Sequence, residues 1–420
     1  AGGGANVTIQ ADLNTSNDGA ILDGTGLIAM GTGDLLLRAG NGIGAAGADR
    51  IEITGLTDVA AVSNSGGIFL QNSTSGAINI TTVGGVTGVV TTTGNISITN
   101  TGGTRNITNA QVVTATAGDV TISASGALDI DATITGGGSV DLDAAAGTID
   151  VAAGSRVVAG GNGTALTIDA AGGAISLNAG GNNTETVTNT GTGTVSITTD
   201  GTNNINLFDN SVSTTTGLLT FTAGGALDVT SADAGQVQVD ADGAVTISAS
   251  GVGVSAVLDI NGDGIGNDAL TITNTSTGGA KVAMNVVTDQ FSAITLNQAD
   301  ADSEVDIAFA YNADVIDIDG TNPLVTLETV TLSNSNIDFD FDITEAGKNV
   351  LVKGVATGTG SARIEATNNI TVNTGGLTST GNIVLEADHD ITVGSGGGTA
   401  AITAGGGANV TIQADLNTSN

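Results

Sequence analysis

The stretch that decides the fold is Asp119-Val-Thr-Ile-Ser-Ala-Ser-Gly-Ala-Leu-Asp-Ile-Asp-Ala-Thr-Ile-Thr-Gly-Gly-Gly-Ser-Val-Asp-Leu142. Three pieces of it, Asp119-Val-Thr-Ile122, Ala127-Leu-Asp-Ile130 and Ser139-Val-Asp-Leu142, share one pattern. A small or polar residue leads into strict apolar–polar alternation, and a Gly, Ala, Asn or Asp turn follows. Alternation with period two puts one face of a strand inside and the other outside. The β-branched residues suit a pleated surface, and the glycines supply the turns. The pattern recurs at Asn6-Val-Thr-Ile9, Asn95-Ile-Ser-Ile98, Ala165-Leu-Thr-Ile168, Ala174-Ile-Ser-Leu177, Thr194-Val-Ser-Ile197, Ala226-Leu-Asp-Val229, Ala244-Val-Thr-Ile247, Ala269-Leu-Thr-Ile272 and Asn369-Ile-Thr-Val372. No stretch shows helical periodicity.

Strands of this kind come in pairs, with pair starts near Asp119, Ser139, Ala165, Thr194 and Leu218 and onward. Their mean step is roughly 22 residues, the size of one coil in a repeat architecture. The expected fold is therefore all-β, a single continuous parallel β-helix (β-solenoid) with essentially no helix. A longer period lies over the short one. Residues Ala1 to Asn17 recur identically as Ala404 to Asn420, an offset of 404 − 1 = 403 residues. Residues 1–403 thus read as one full tandem repeat and 404–420 as the start of the next. Roughly 18 coils would fill such a repeat, rising about 85 Å at the usual strand spacing.

Composition agrees. The chain has 66 Gly, one Pro, no Cys, no Trp and seven Phe, yet 40% of it is hydrophobic. Too few large side chains are present for a thick globular core, and too many apolar ones for a disordered chain. A thin, layered core satisfies both. Without Cys there is neither a disulfide framework nor thiol chemistry. No apolar run is long enough to span a membrane. The formal charge of −34, from 42 acids against eight Lys and Arg, argues against electrostatic binding of nucleic acid. It favours solubility, repulsion between fibres and divalent cations.

Asp34-Leu-Leu-Leu-Arg-Ala-Gly-Asn-Gly-Ile-Gly44, Gly67-Ile-Phe-Leu70 and Ala77-Ile-Asn-Ile-Thr-Thr-Val-Gly-Gly-Val-Thr-Gly88 give the chain a further likeness. With the reiterated Gly-Asn-Ile-Ser-Ile and Gly-Asp-Val-Thr-Ile units, it resembles the giant filamentous-haemagglutinin-like bacterial adhesins. That resemblance implies a right-handed parallel β-helix, export to the cell surface and a role in adhesion or surface coats. The amino-terminal secretion domain of that group is not among these residues.

The sharpest local motif is Asp259-Ile-Asn-Gly-Asp-Gly-Ile-Gly-Asn-Asp268. Its Asp-x-Asn-x-Asp-Gly spacing matches the opening of a calcium loop. Asp259, Asn261 and Asp263 would offer side-chain oxygens, Ile265 a carbonyl, Asn267 the ninth position, and Asp268 a stand-in for the missing acid at Leu270. The competing reading is a polar turn. Acidic alternation occurs in Ile337-Asp-Phe-Asp-Phe-Asp-Ile343 and at Asp300, Asp302, Glu304 and Asp306. It reads as a solvated face or as a place where divalent ions bridge coils or fibres. Gly44 to Glu52 only loosely matches a nonapeptide calcium repeat, and Asn-x-Ser/Thr triplets follow from composition. Segment 280–353 holds all three lysines, Tyr311, Pro323 and four of the seven Phe. It is expected to form wider coils or a lateral contact patch.

Enzymatic chemistry has little to stand on. His389 is the only histidine, it sits in a turn-like Glu386-Ala-Asp-His-Asp390, and no nucleophile lies near it in sequence. Abundant paired carboxylates keep glycosidase-type chemistry formally open, but no aromatic sugar platform accompanies them. The expected role is a structural component of a long extracellular bacterial fibre, sheath or matrix filament. Its partners would be identical repeats end to end, and lateral copies through divalent cations. An adhesin stalk carrying a distant binding domain is the rival, and a carbohydrate-active β-helix enzyme is a remote third.

Overall fold

The computed structural model describes residues 5–11, 18–55, 58–73, 76–160, 166–178, 185–209, 211–214, 217–231, 237–262, 269–276, 281–289, 293–298, 304–312, 315–319, 324–332, 338–342, 347, 349–357, 361–394 and 399–415. Among them the chain is a parallel β-solenoid with no α-helix. Among these residues the single helical feature is the 3-10 turn Gly47–Asp49. Two compact units divide the chain, Ala1–Leu218 and Leu219–Asn420.

From Ile96 to Thr214 in the first unit each coil contributes three strands. One face stacks Ile96–Asn100, Val120–Ala124, Val140–Ala144, Leu166–Ala170 and Val195–Thr199. The next stacks Ile107–Asn109, Leu128–Ile130, Ile149–Val151, Ile175–Asn178 and Ile205–Phe208. The third stacks Val113–Ala115, Ile134–Gly136, Val157–Ala159, Val187–Asn189 and Val212–Thr214. The pairwise reading of the sequence thus missed one strand per coil. Coil length also varies. Successive register partners Ile96, Val120, Val140, Leu166 and Val195 are 24, 20, 26 and 29 residues apart. These steps do not establish a count of 18 coils.

Alternation is translated directly into burial. Ile98, Ile122, Leu142, Ile168 and Ile197 form one inward column, every one fully buried. Complete burial of such side chains contributes about 1.5–3 kcal/mol each. Polar residues at strand ends are buried too, and they hold the corners. Asn100 donates to Asn106 O at 2.9 Å, Asn109 to Gln111 O at 2.6 Å, and Asn189 to Gly193 O at 2.6 Å. Corners also press coil on coil. A Cβ on Gly118 would lie 2.2 Å from the carbonyl oxygen of Gly94, so this position excludes any side chain.

Leu35-Leu-Leu37 departs from alternation for a local reason. Leu35 and Leu37 are buried in the solenoid, whereas Leu36 packs with Ala60 and Val83 in a small separate cluster, with Val86 against it. Val83 and Val86 belong to an antiparallel hairpin, Thr82–Val83 with Val86–Thr87. Its turn is Gly84-Gly85, both at positive φ, the geometry of a tight two-residue hairpin turn. The hairpin folds over the outside of the coil and makes a normally wet position dry.

In the second unit one ladder runs from Leu219–Thr222 through Val245–Ala249, Ala269–Asn274, Ala293–Gln298, Val315–Asp319, Asp338–Asp342, Ala362–Ala366 and Ile383–Ala387 to Val410–Ala414. The expectation of wider coils in 280–353 needs correction. Register partners Leu270, Ile294, Ile316 and Phe339 are 24, 22 and 23 residues apart, no longer than elsewhere. What changes is the corner. Lys281–Asp289, Glu304–Asn312 and Leu324–Leu332 are strands of nine residues each, none with a glycine. Leu324–Leu332 then pairs with two strands of the next coil, Asn349–Val352 and Val355–Thr357.

Candidate functional site

Of the expected calcium ligands, Asp259 and Asn261 lie in the strand Leu258–Gly262, alternating with buried Leu258 and Ile260. The Asp259 N–H donates to Gln238 Oε1 at 2.8 Å. Asp263, Ile265, Asn267 and Asp268 fall outside the described residues, as do Asp300 and Asp302. Glu304 and Asp306 lie in the strand Glu304–Asn312. In Asp338–Asp342 the inward residues are Phe339 and Phe341, both buried. By register Asp340 stands between Asp317 and Arg363, and Asp342 opposite Asp319. Arg363 pairs with Glu386 at 2.7 Å and with Glu365. His389 lies in an exposed turn, its N–H bonded to Asn368 O at 2.9 Å.

Register builds two acid ladders that reading along the chain does not reveal. On one face of the first unit Asp143 is opposite Asp169, and Asp141 is two residues from Asp143 on the same strand. On the next face Asp129 is opposite Asp150. Neighbouring strands are about 4.8 Å apart, so like charges face each other directly. Partial burial, and then the charge of Asp143, raise the carboxyl of Asp141 above its ordinary value. Burial followed by repulsion from Asp143, Asp200 and Asp141 raises Asp169. Asp150 is raised by burial and by Asp129 and Asp131. Asp129 is raised by burial and Asp131, against a lowering bond from the Thr108 hydroxyl. Ser123 Oγ donates to Asp143 at 2.9 Å. Among the described residues no three acids or histidines converge as a metal-holding group. The ladders are rows, not cages.

A different polar device runs along the coil corners. At some corners the residue before a strand has its N–H bound by the side-chain oxygen of its counterpart one coil earlier. Its carbonyl accepts from that coil, and its own side-chain oxygen accepts from the coil that follows. Asp119 shows all three bonds: its N–H to Asn95 Oδ1 at 2.9 Å, Ile96 N–H to its carbonyl at 2.8 Å, and Ser139 N–H to its Oδ1 at 2.8 Å. Asn369 does the same with Asn349, Val350 and Asp390, at 3.3, 2.8 and 2.9 Å. Such bonds tie coil to coil and leave few buried donors unpaired.

Among the described residues no helix is long and apolar enough to cross a membrane. No family model, curated protein or solved structure matches the chain, so the coil geometry itself carries the functional reading.

Proposed function

We propose that this chain is a length-giving segment of an extracellular bacterial fibre, sheath or matrix filament, built from tandem 403-residue β-solenoid repeats. The supporting observation is the pair of identical 17-residue segments, each holding a strand parallel to a solenoid rung. A period that both begins and ends in the same rung can be extended indefinitely without a linker. At roughly 25 residues per coil, a 403-residue period would rise on the order of 75–80 Å. Acid rows on the outside keep neighbouring rods apart, or join them when divalent cations such as Ca2+ bridge the carboxylates. The region opened by Asp259 and Asn261 is the local candidate for such an ion. No catalytic constellation is needed for this role.

A polypeptide carrying three 403-residue periods, imaged by electron microscopy, tests the reading. The expected particle is one unbroken rod, three times the length of a single period. Three compact bodies on flexible joints would overturn the proposal. Imaging with calcium and then with a chelator tests lateral bridging. Bundles that keep their width after chelation would remove the cation from the account. The adhesin-stalk alternative predicts isolated rods with no lateral neighbours in either condition.

A further inference from the structure

In the first unit, the outward residues of the third face form a column that holds no acid. By register it runs Arg38, Val62, Val90, Thr114, Thr135, Val158, Thr188 and Ser213, each partly exposed. Around its three-residue strands, from Val89–Thr91 to Val212–Thr214, the one acid within two residues of a strand end is Glu185. Arg156 pairs with that acid at 3.1 Å and donates to Thr188 Oγ1 at 3.1 Å, so its guanidinium lies over the column. The Nε of Arg38 is buried with no hydrogen-bond partner, a state that protein packing seldom leaves unanswered. The second face has the opposite character. Its outward column runs Asp34, Asp58, Asn79, Thr108, Asp129, Asp150 and Ser176, with no Lys or Arg in it. The strand Asp34–Ile43 starts both columns. Counted from it, acids stand at the first, second, fifth and sixth rungs of the second column. In the third, Arg38 stands at the first rung, and Arg156 lies beside Val158 at the sixth.

We propose that this third face is a docking surface for a second copy of the chain, which points the same way and lays its acid column along it with the rungs level. Both columns repeat at the strand spacing, so a match made at one rung is kept at the next. Arg38 then meets the carboxylates of Asp34 and Asp58. Arg156 meets those of Asp129 and Asp150, about 24 Å further along the axis. Uncharged Val90 and Thr114 lie between, level with Asn79 and Thr108. The contact is heterologous: each rod offers its third face to one neighbour and its acid column to another, which builds sheets of rods rather than closed pairs. Charge matching of this kind selects the partner and the register, and repetition along a fibre multiplies one weak contact per period. No divalent ion takes part. The inference rests on the fibre reading and supplies its lateral contact.

The test is sedimentation equilibrium of the full chain in the presence of a chelator. A chain of net charge −34 repels its copies, so removal of acids in general should strengthen association. Docking sets the opposite sign at one place. Asp129→Asn with Asp150→Asn should weaken association about tenfold, even though it relieves repulsion inside the chain. The control on the first face, Asp141→Asn with Asp169→Asn, makes the same change of charge and should leave association equal or stronger. Arg38→Gln with Arg156→Gln should weaken it about as much as the second-face pair. Exchange of charge gives a further arm. Arg156→Glu in one chain, and Asp129→Lys with Asp150→Lys in another, should each associate poorly alone and tightly when mixed. Far-ultraviolet circular dichroism confirms the fold of every variant. A second-face pair that strengthens association as the control does, a mixture no tighter than its parts, or a chain monomeric at every concentration would overturn the docking. None of these results touches the three-period rod, whose failure would appear as jointed bodies in the microscope.

Discussion

Lowering the pH should make the first unit more stable, the reverse of ordinary acid denaturation. Asp129, Asp141, Asp150 and Asp169 all have carboxyls raised above the usual 3.8 by burial and like charge. A group with a higher pKa folded than unfolded binds more protons in the folded state between those two values. Stability then falls as pH rises through the folded pKa, and is regained as pH falls toward 3.8, below which the gain is complete. The register pairs Asp129–Asp150 and Asp143–Asp169 set the scale. Like charges directly opposed on neighbouring strands cost roughly 0.2–1 kcal/mol a pair, so the two pairs give about 0.4–2 kcal/mol. These carboxylates are only half-buried, which places the effect in the lower part of that range and makes it shrink with salt. Urea unfolding followed by far-ultraviolet circular dichroism at pH 7.5, 6, 5 and 4.5 reads the shift. The double variant Asp143→Asn, Asp150→Asn separates the ladders from the general repulsion of a chain at −34. It should be more stable than the parent at pH 7.5 and flatter against pH. A midpoint that declines steadily from pH 7.5 to 4.5, or a double variant no flatter than the parent, would refute the reasoning.

Three substitutions probe the rest of the fold. Ile168→Ala opens a void in a column where every neighbour is fully buried, and should cost about 2–5 kcal/mol by urea unfolding; a loss below about 1 kcal/mol would mean the column can collapse. Gly118→Val drives a side chain into the Gly94 carbonyl and should cost about 1–3 kcal/mol, with limited proteolysis showing new cleavage near that corner; unchanged resistance would show that the corner is loose. Arg363→Gln removes the ion pairs to Glu365 and Glu386, but the groups are partly exposed, so the expected loss is at most about 1 kcal/mol and fades in high salt.

The five-residue strands were legible because each carries three inward residues in strict alternation, as in Val120–Ala124. The third strand of each coil was not. Val113–Ala115, Ile134–Gly136 and Val157–Ala159 offer a single large inward residue and close on Ala or Gly, too short a pattern to separate from a turn. Two of the inferred pair members were therefore really consecutive members of a triplet. The acid ladders were illegible for another reason. Asp129 meets Asp150 across 21 residues and Asp143 meets Asp169 across 26, and with coils of such unequal length no fixed period brings them together. Leu36 needed the Gly84-Gly85 hairpin, whose packing over it depends on tertiary placement alone.

The corner columns and the outer faces handle charge by different means. On the outside, acid stands opposite acid, and the carboxyls of Asp129, Asp141, Asp150 and Asp169 hold protons more tightly. At the corners a side-chain oxygen sits about 3 Å from the N–H of the next coil, and most of these oxygens belong to amides. Asn95 precedes Asp119, Asn349 and Asn369 precede Asp390, Asn382 precedes Asn409, and Asn6 precedes Asp34. Each acceptor named here is an amide oxygen, yet the pattern is not a rule of the column: Asp34 and Asp58 hold the same position, before Leu35 and Val59, in successive coils and stand opposite each other. Either group accepts the bond equally well, but two acids in successive coils add like-charge repulsion to a bond that needs none, so an amide is the less costly acceptor at such a corner.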